Sequence, residues 1–167
     1  MINLNKYKII SHRGLINGPS LDLENNPQNI SSNIKEYPFL INEIDVNLTK
    51  NGIFLGHDKL NYQVNLDFII EKKEFLILHL KKFDITSQEV LSTFEKLITN
   101  CHMFAHEEDP FVITNRGWIW SHPKKGIISN TILVMPEKII PIENLNLREE
   151  LKVLKGVCTD YPLKMID

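Results

Sequence analysis

Cysteine is scarce in this chain: only Cys101 and Cys158 occur in 167 residues. Two such residues in apolar, strand-like contexts suit reduced, buried thiols better than a disulfide framework. Nothing beside either would lower a thiol pKa, so a catalytic cysteine is not expected. Long runs of one charge are also missing, and the formal net charge is only −2. That argues against nucleic acid or an anionic membrane surface as the main partner. No apolar run approaches the roughly 20 residues of a membrane span, and the apolar patch in the opening MINLNKYKIISHRG is too short for a signal-peptide core. A cytoplasmic location without membrane insertion is therefore expected. Linkers, repeats and low-complexity segments are absent as well. What is present, 43% hydrophobic and 24% charged residues, suits one globular domain over residues 1–167 with enough chain to bury a real core.

The most informative stretch is Ile41 to Asp58, INEIDVNLTKNGIFLGHD. Side chains alternate along a strand, so Glu43 and Asp45 share one face while Ile44 and Val46 take the other. Two carboxylates held side by side repel unless a cation neutralises them, and the pair reads as half of a metal site. A strand end facing water accounts for them equally well at this point. A turn at Lys50-Asn51-Gly52 then leads to His57 and Asp58.

Elsewhere, Tyr7 to His12 reads as a short buried strand delivering His12 and Arg13 at its end. Asn26 is a helix cap with Pro27 at the first helical position, and a helix runs from about Pro27 to Glu36. A second helix is expected over Leu66 to Lys73, capped near Asn65 or Asp67, followed by a strand from Phe75 to Lys81 that brings His79 and Lys81 to one face. A third helix runs from Ser87 to about Thr99, capped by Thr86 or Ser87, with Val90, Leu91, Phe94, Leu97 and Ile98 at helical spacing. Cys101 to His106 is the next strand and ends in the polar cluster His106-Glu107-Glu108-Asp109. From Pro110 to Pro141 the prolines and glycines leave little room for a helix, and strands are expected near Gly117–Ser121 and Thr131–Met135. A last helix over about Asn144 to Leu154 precedes a short strand, Gly156 to Asp160, that ends in an acid.

His12, Asp45, His79, His106, Glu137 and Asp160 each fall at or just after the C-terminal end of a predicted strand. In a parallel α/β barrel those ends gather on one face, where active sites are built. Eight strand-helix units would average about 21 residues each, with nothing to spare. The expected fold class is therefore α/β, a reduced (β/α) TIM-like barrel with some helices lost in the second half. A bared flank exposes apolar surface, and a homodimer is expected to cover it.

Taken in order, His12-Arg13-Gly14, Glu24-Asn25, Glu43-Ile44-Asp45-Val46, Thr49-Lys50-Asn51-Gly52, His57-Asp58 and Gly156-Val157-Cys158-Thr159-Asp160-Tyr161-Pro162 resemble the glycerophosphodiester phosphodiesterase family, TIM-barrel enzymes of the phospholipase C-like phosphodiesterase group. The resemblance is most specific from Ile10 to Asp58, fades through the middle and returns at the C-terminal Thr-Asp-x-Pro, as in a short divergent member. It implies metal-dependent hydrolysis of a small-molecule phosphodiester, with His12 and His57 as general acid and base. It further implies a divalent cation on Glu43 and Asp45 and a phosphate contact from Arg13, although a structural salt bridge to Glu24 accounts for that arginine equally well. Imidazoles titrate near neutral pH and suit either proton transfer.

The chain departs from the family where an E-x-K strand is expected: Leu78-His79-Leu80-Lys81 keeps Lys81 for the phosphate but has His79 as the third metal ligand. Imidazole in the set favours one Mg²⁺ or Mn²⁺ over Ca²⁺, which prefers oxygen. The substrate expected from the resemblance is a glycerophosphodiester or a sugar or polysaccharide-precursor phosphodiester. Trp118 and Trp120 form either an aromatic platform for it or part of the core. The replaced ligand also leaves open a non-catalytic descendant that binds a phosphorylated ligand.

Overall fold

A computed structural model of the chain describes residues 7–107, 109–147 and 149–166. Its centre is a ten-stranded mixed sheet. β1 (Lys8–Ser11) pairs in parallel with β10 (Gly156–Thr159) on one side and with the start of β2 (Ile41–Thr49) on the other. Beyond β2 come β5 (Leu76–Phe83) and β6 (His102–Ala105), both parallel. Beyond β10 come β9 (Ile132–Val134) and β8 (Ile119–Ser121), also parallel, and then β7 (Phe111–Ile113), which runs antiparallel to β8.

β2 changes partners along its length. Ile41 and Asn42 face β1, whereas Val46 to Thr49 pair antiparallel with β3 (Gly52–Leu55), which pairs with β4 (Tyr62–Val64). Between those two partners lies the segment that carries Glu43 and Asp45. A strand edge without a neighbour leaves backbone groups that must find other partners. Here the Asp45 N–H donates to Asn25 Oδ1 at 2.8 Å and the Asp45 carbonyl accepts from the Gly56 N–H at 3.1 Å.

Among the described residues, three α-helices cover part of one face. α1 (Pro27–Glu36) starts as its sequence suggests, with Asn26 Oδ1 accepting from the Gln28 and Asn29 N–H groups and Pro27 opening the helix. α2 (Leu66–Glu71) is capped by Asn65 and is shorter than expected, because a 3-10 turn, Lys73–Phe75, takes over before β5. α3 (Gln88–Asn100) is capped by Ser87 Oγ, which accepts from the Val90 N–H.

Strand alternation sorts the core into layers. Ile44, Val46, Leu76 and Leu78 point outward against Ile30, Ile69, Val90 and Leu97 of the helices. Ile9, Leu133 and Val157 point outward against Leu145, Leu151 and Leu154. On the inner, concave face Ile10, Ile77, Phe104, Trp120, Ile132 and Cys158 form a third cluster.

The expected reduced (β/α) TIM-like barrel is not what forms. The sheet curls into a half-barrel, and no ladder joins β6 to β7 among the described residues. Asn115 bridges them instead: its N–H donates to the Met103 carbonyl, and its Oδ1 accepts from the Met103 N–H. Alternation of strand and α-helix stops after β6. The proline- and glycine-rich segment that follows supports only short strands and 3-10 turns. The helix expected over Asn144–Leu154 is replaced by the 3-10 stretches Ile142–Leu147 and Glu149–Val153, with Arg148 outside the described residues. Glu108 of the polar cluster after β6 also lies outside them, as do residues 1–6. No helix among the described residues is long and apolar enough to cross a membrane.

Candidate metal centre and cleft

The first functional segment is the 3-10 turn His12–Gly14 that ends β1. Arg13 and Gly14 both have left-handed backbones, with φ of +53° and +72°. A Cβ on Gly14 would lie 2.9 Å from Ile30 Cγ1, so glycine lets α1 close onto the turn. The Gly14 carbonyl accepts from Asn29 Nδ2 at 2.8 Å and Asn33 Nδ2 at 2.7 Å, while the Arg13 carbonyl accepts from the Asn25 N–H at 2.8 Å. Asn25, Asn29 and Asn33 thus fasten the turn from one side, which explains why the Glu24-Asn25-Asn26 stretch sits beside it.

That anchoring places His12 and Arg13 over the carboxylates of β2. The Arg13 N–H donates to Glu43 Oε2 at 2.9 Å, its Nη1 donates to Glu24 Oε2 at 3.0 Å, and its Nε lies 3.3 Å from Asp45 Oδ2. Asn25 Nδ2 donates to the same Asp45 oxygen at 3.0 Å. β5 is in register so that His79 stands directly beside Asp45. His79 Nδ1 is 3.2 Å from Asp45 Oδ1 and 3.6 Å from Glu43 Oε1. All three side chains are buried, Glu43 at 2%, Asp45 at 1% and His79 at 8% exposure.

The electrostatics follow from this packing. Burial alone opposes ionisation of Asp45, but the His79 hydrogen bond, Arg13 and Asn25 outweigh it and hold the carboxyl below its usual range. Burial likewise opposes the imidazolium of His79, yet Asp45 and Glu43 raise its pKa to about 9. The His79 ring also stacks on Phe104 and His106, at centroid distances of 4.6 and 4.8 Å. His106 shifts the other way, lowered by burial first and then by His79 and Lys81.

Glu43, Asp45 and His79 can hold a metal ion: one donor atom from each lies within 4.8 Å of the others. Adjacent ligands of an octahedral ion with bonds near 2.1 Å stand about 3 Å apart. The 3.2 and 3.6 Å separations from His79 Nδ1 fit such a set with little movement. Two carboxylates and one imidazole are also a chemically ordinary donor set for a divalent cation.

These groups open into a cleft of about 140 Å³ that is also lined by His57, Lys81, His106, Trp120 and His122. His12 Nδ1 is 2.7 Å from Asp160 Oδ1, and His57 Nδ1 is 2.8 Å from Asp58 Oδ1. Each histidine thus has one nitrogen engaged by a carboxylate and Nε2 left for a ligand. All seven residues expected at the site, His12, Arg13, Glu43, Asp45, His57, His79 and Lys81, line this one cleft.

Two tryptophans expected to share a role are separated. Trp120 lines the cleft, whereas Trp118 packs edge-on against His102 and under the Lys155 ammonium, away from it. Three contributors carry no assigned role in the sequence reading: Asn25, Asp160 and Glu137. The signal for Asp160 and Glu137 is their place just after predicted strands; Asn25 has only its place beside Glu24. No protein-family profile, curated protein or solved structure matches the chain.

Proposed function

We propose that the cleft hydrolyses a phosphodiester with one divalent cation, as the resemblance to glycerophosphodiester phosphodiesterases implies. The observation that carries this reading is the convergence of Glu43, Asp45 and His79 with His12, His57, Arg13 and Lys81 in one cavity. A phosphodiester oxygen requires positive charge around it, and Arg13 and Lys81, which both line the cleft, supply it. His12 and His57 divide the proton work: one takes the proton from the attacking hydroxyl, and the other protonates the departing alkoxide. Asp160 and Asp58 hold the two rings so that Nε2 is the reacting nitrogen in each. Glu43, Asp45 and His79 would hold the cation, which when bound offsets charge on the phosphate oxygens. The His79 imidazole favours Mn²⁺ or Mg²⁺ over Ca²⁺ there.

One observation favours a second reading, a descendant that binds a phosphorylated ligand without cleaving it. His79 Nδ1 approaches both carboxylates and, when protonated, balances them together with Arg13 without a metal. Hydrolysis of glycerophosphodiesters and of bis-nitrophenyl phosphate across Mg²⁺, Mn²⁺, Ca²⁺ and Zn²⁺, with EDTA controls, separates the two. Metal-dependent turnover that is lost in His12→Ala and His57→Ala is expected. No turnover with any metal leaves the binding protein, and full turnover in both variants refutes His12 and His57 as the acid and base. The homodimer stays part of the proposal, with sedimentation at low micromolar concentration as its readout.

A further inference from the structure

Glu137 meets none of the groups that would touch metal or substrate, yet both of its carboxylate oxygens are engaged. It follows β9 through Met135, whose backbone is left-handed at φ +48°, and lies in the 3-10 turn Pro136–Lys138. Oε1 accepts from the Asp160 N–H at 2.9 Å, and Oε2 accepts from Thr159 Oγ1 at 2.9 Å. Thr159 is fully buried, and its hydroxyl also accepts from the Tyr161 N–H at 3.1 Å. On the other side the Asp160 carbonyl accepts from the Gly18 N–H at 2.8 Å. The peptide on each side of Asp160 is therefore tied down, and its side chain is left to meet His12 Nδ1 at 2.7 Å.

We propose that Glu137 is a positioning residue for His12: it clamps Thr159 and Asp160 so that the Asp160 carboxylate holds the imidazole in one tautomer, with Nε2 free for the cleft. The proposal rests on the acid–base role given to His12. A histidine whose Nδ1–H is held by a carboxylate keeps its proton on that nitrogen. Loosening the carboxylate lets both tautomers and several ring orientations coexist, and small misplacement of a reacting group costs up to about 100-fold in rate. Glutamate suits the task because it accepts from a backbone N–H and a hydroxyl at once. Glutamine can keep both contacts if the Thr159 hydroxyl turns to accept from its amide.

The test is ¹⁵N-edited imidazole NMR of the full chain in EDTA, at a pH alkaline enough that His12 is neutral, with circular dichroism as a check on folding. Wild type and Glu137→Gln are expected to show His12 as a single Nδ1–H tautomer. Glu137→Ala is expected to show a mixture with the Nε2–H form, and kcat for the phosphodiester should fall by up to about 100-fold with KM unchanged. Thr159→Val is close to isosteric and removes one of the two anchors. It is expected to show the same mixing to a smaller extent, and it serves if Glu137→Ala does not fold. A single Nδ1–H signal in either folded variant overturns the proposal. The NMR readout does not need turnover. A protein that hydrolyses no phosphodiester but shows the tautomer mixing refutes the activity and leaves the clamp standing.

Discussion

Replacing Asn25 by aspartate should destabilise the metal-free protein at pH 7 and much less at pH 5. Asn25 is fully buried with φ +56°, a backbone that Asn and Asp both tolerate. Aspartate keeps the oxygen that accepts from the Asp45 N–H, so the β2 edge remains satisfied. What changes is the donor: Asn25 Nδ2, 3.0 Å from Asp45 Oδ2, becomes a carboxylate oxygen. A hydrogen bond to a charged group, worth about 1.5–3 kcal/mol, is lost. Two unit charges at that distance repel by about 5 kcal/mol at an effective dielectric of 20, so one carboxyl takes up a proton instead. Protonating a carboxyl of pKa near 4 costs about 4 kcal/mol at pH 7 and about 1.4 kcal/mol at pH 5. Once protonated, the introduced carboxyl donates to Asp45 and restores the bond. Urea unfolding in EDTA, followed by tryptophan fluorescence at both pH values, should therefore give a deficit against wild type of about 4 kcal/mol at pH 7, shrinking by about 2–3 kcal/mol at pH 5. Asn25→Ala loses both the donor and the acceptor contact without adding a titrating group, and its deficit should stay nearly the same at pH 5 and pH 7. An Asn25→Asp deficit that is absent, or equal at the two pH values, refutes the argument that this side chain completes β2 and positions Asp45.

Other consequences are as direct. Calorimetric titration with MnCl₂ should find His79→Ala weakened by more than the roughly 10- to 100-fold that loss of an outer partner costs, and His79→Glu should shift preference toward Ca²⁺; unchanged Mn²⁺ affinity in His79→Ala would remove it from the ligand set. His102, buried against Thr114 Oγ1 at 2.7 Å, has its pKa lowered to about 4, by burial first and then by Arg116 and Lys155. Because the folded value lies below the unfolded 6.5, its contribution is complete above pH 6.5 and is lost as pH falls toward 4, by about 3 kcal/mol in all. Urea titrations should show that loss in wild type and not in His102→Asn; parallel curves would put the acid sensitivity elsewhere.

Much of this protein is legible in local pattern. Asn26-Pro27 and Ser87 begin α1 and α3 where they do because capping is a short-range contact between a side chain and N–H groups two or three residues on. Apolar alternation identifies β1, β2, β5 and β10, and it puts Glu43 and Asp45 on one face. The seven cleft residues are residue types that bind cations or anions or transfer protons, and their spacing along predicted strands already singles them out.

Other features depend on contacts between distant parts of the chain. His12 and Asp160 are 148 residues apart, and nothing local says that one holds the other. Asn25 looks like a loop asparagine until β2 changes neighbours and leaves the Asp45 N–H needing an acceptor. The open half-barrel is decided in the same way: strand ends gather on one edge because the strands are parallel, which local pattern suggests, but whether a sheet closes depends on long-range pairing between its outermost strands. Here β6 meets Asn115 instead of a ladder partner. The types of the site residues were thus set by the sequence, and their assembly into one cleft by the curl of the sheet.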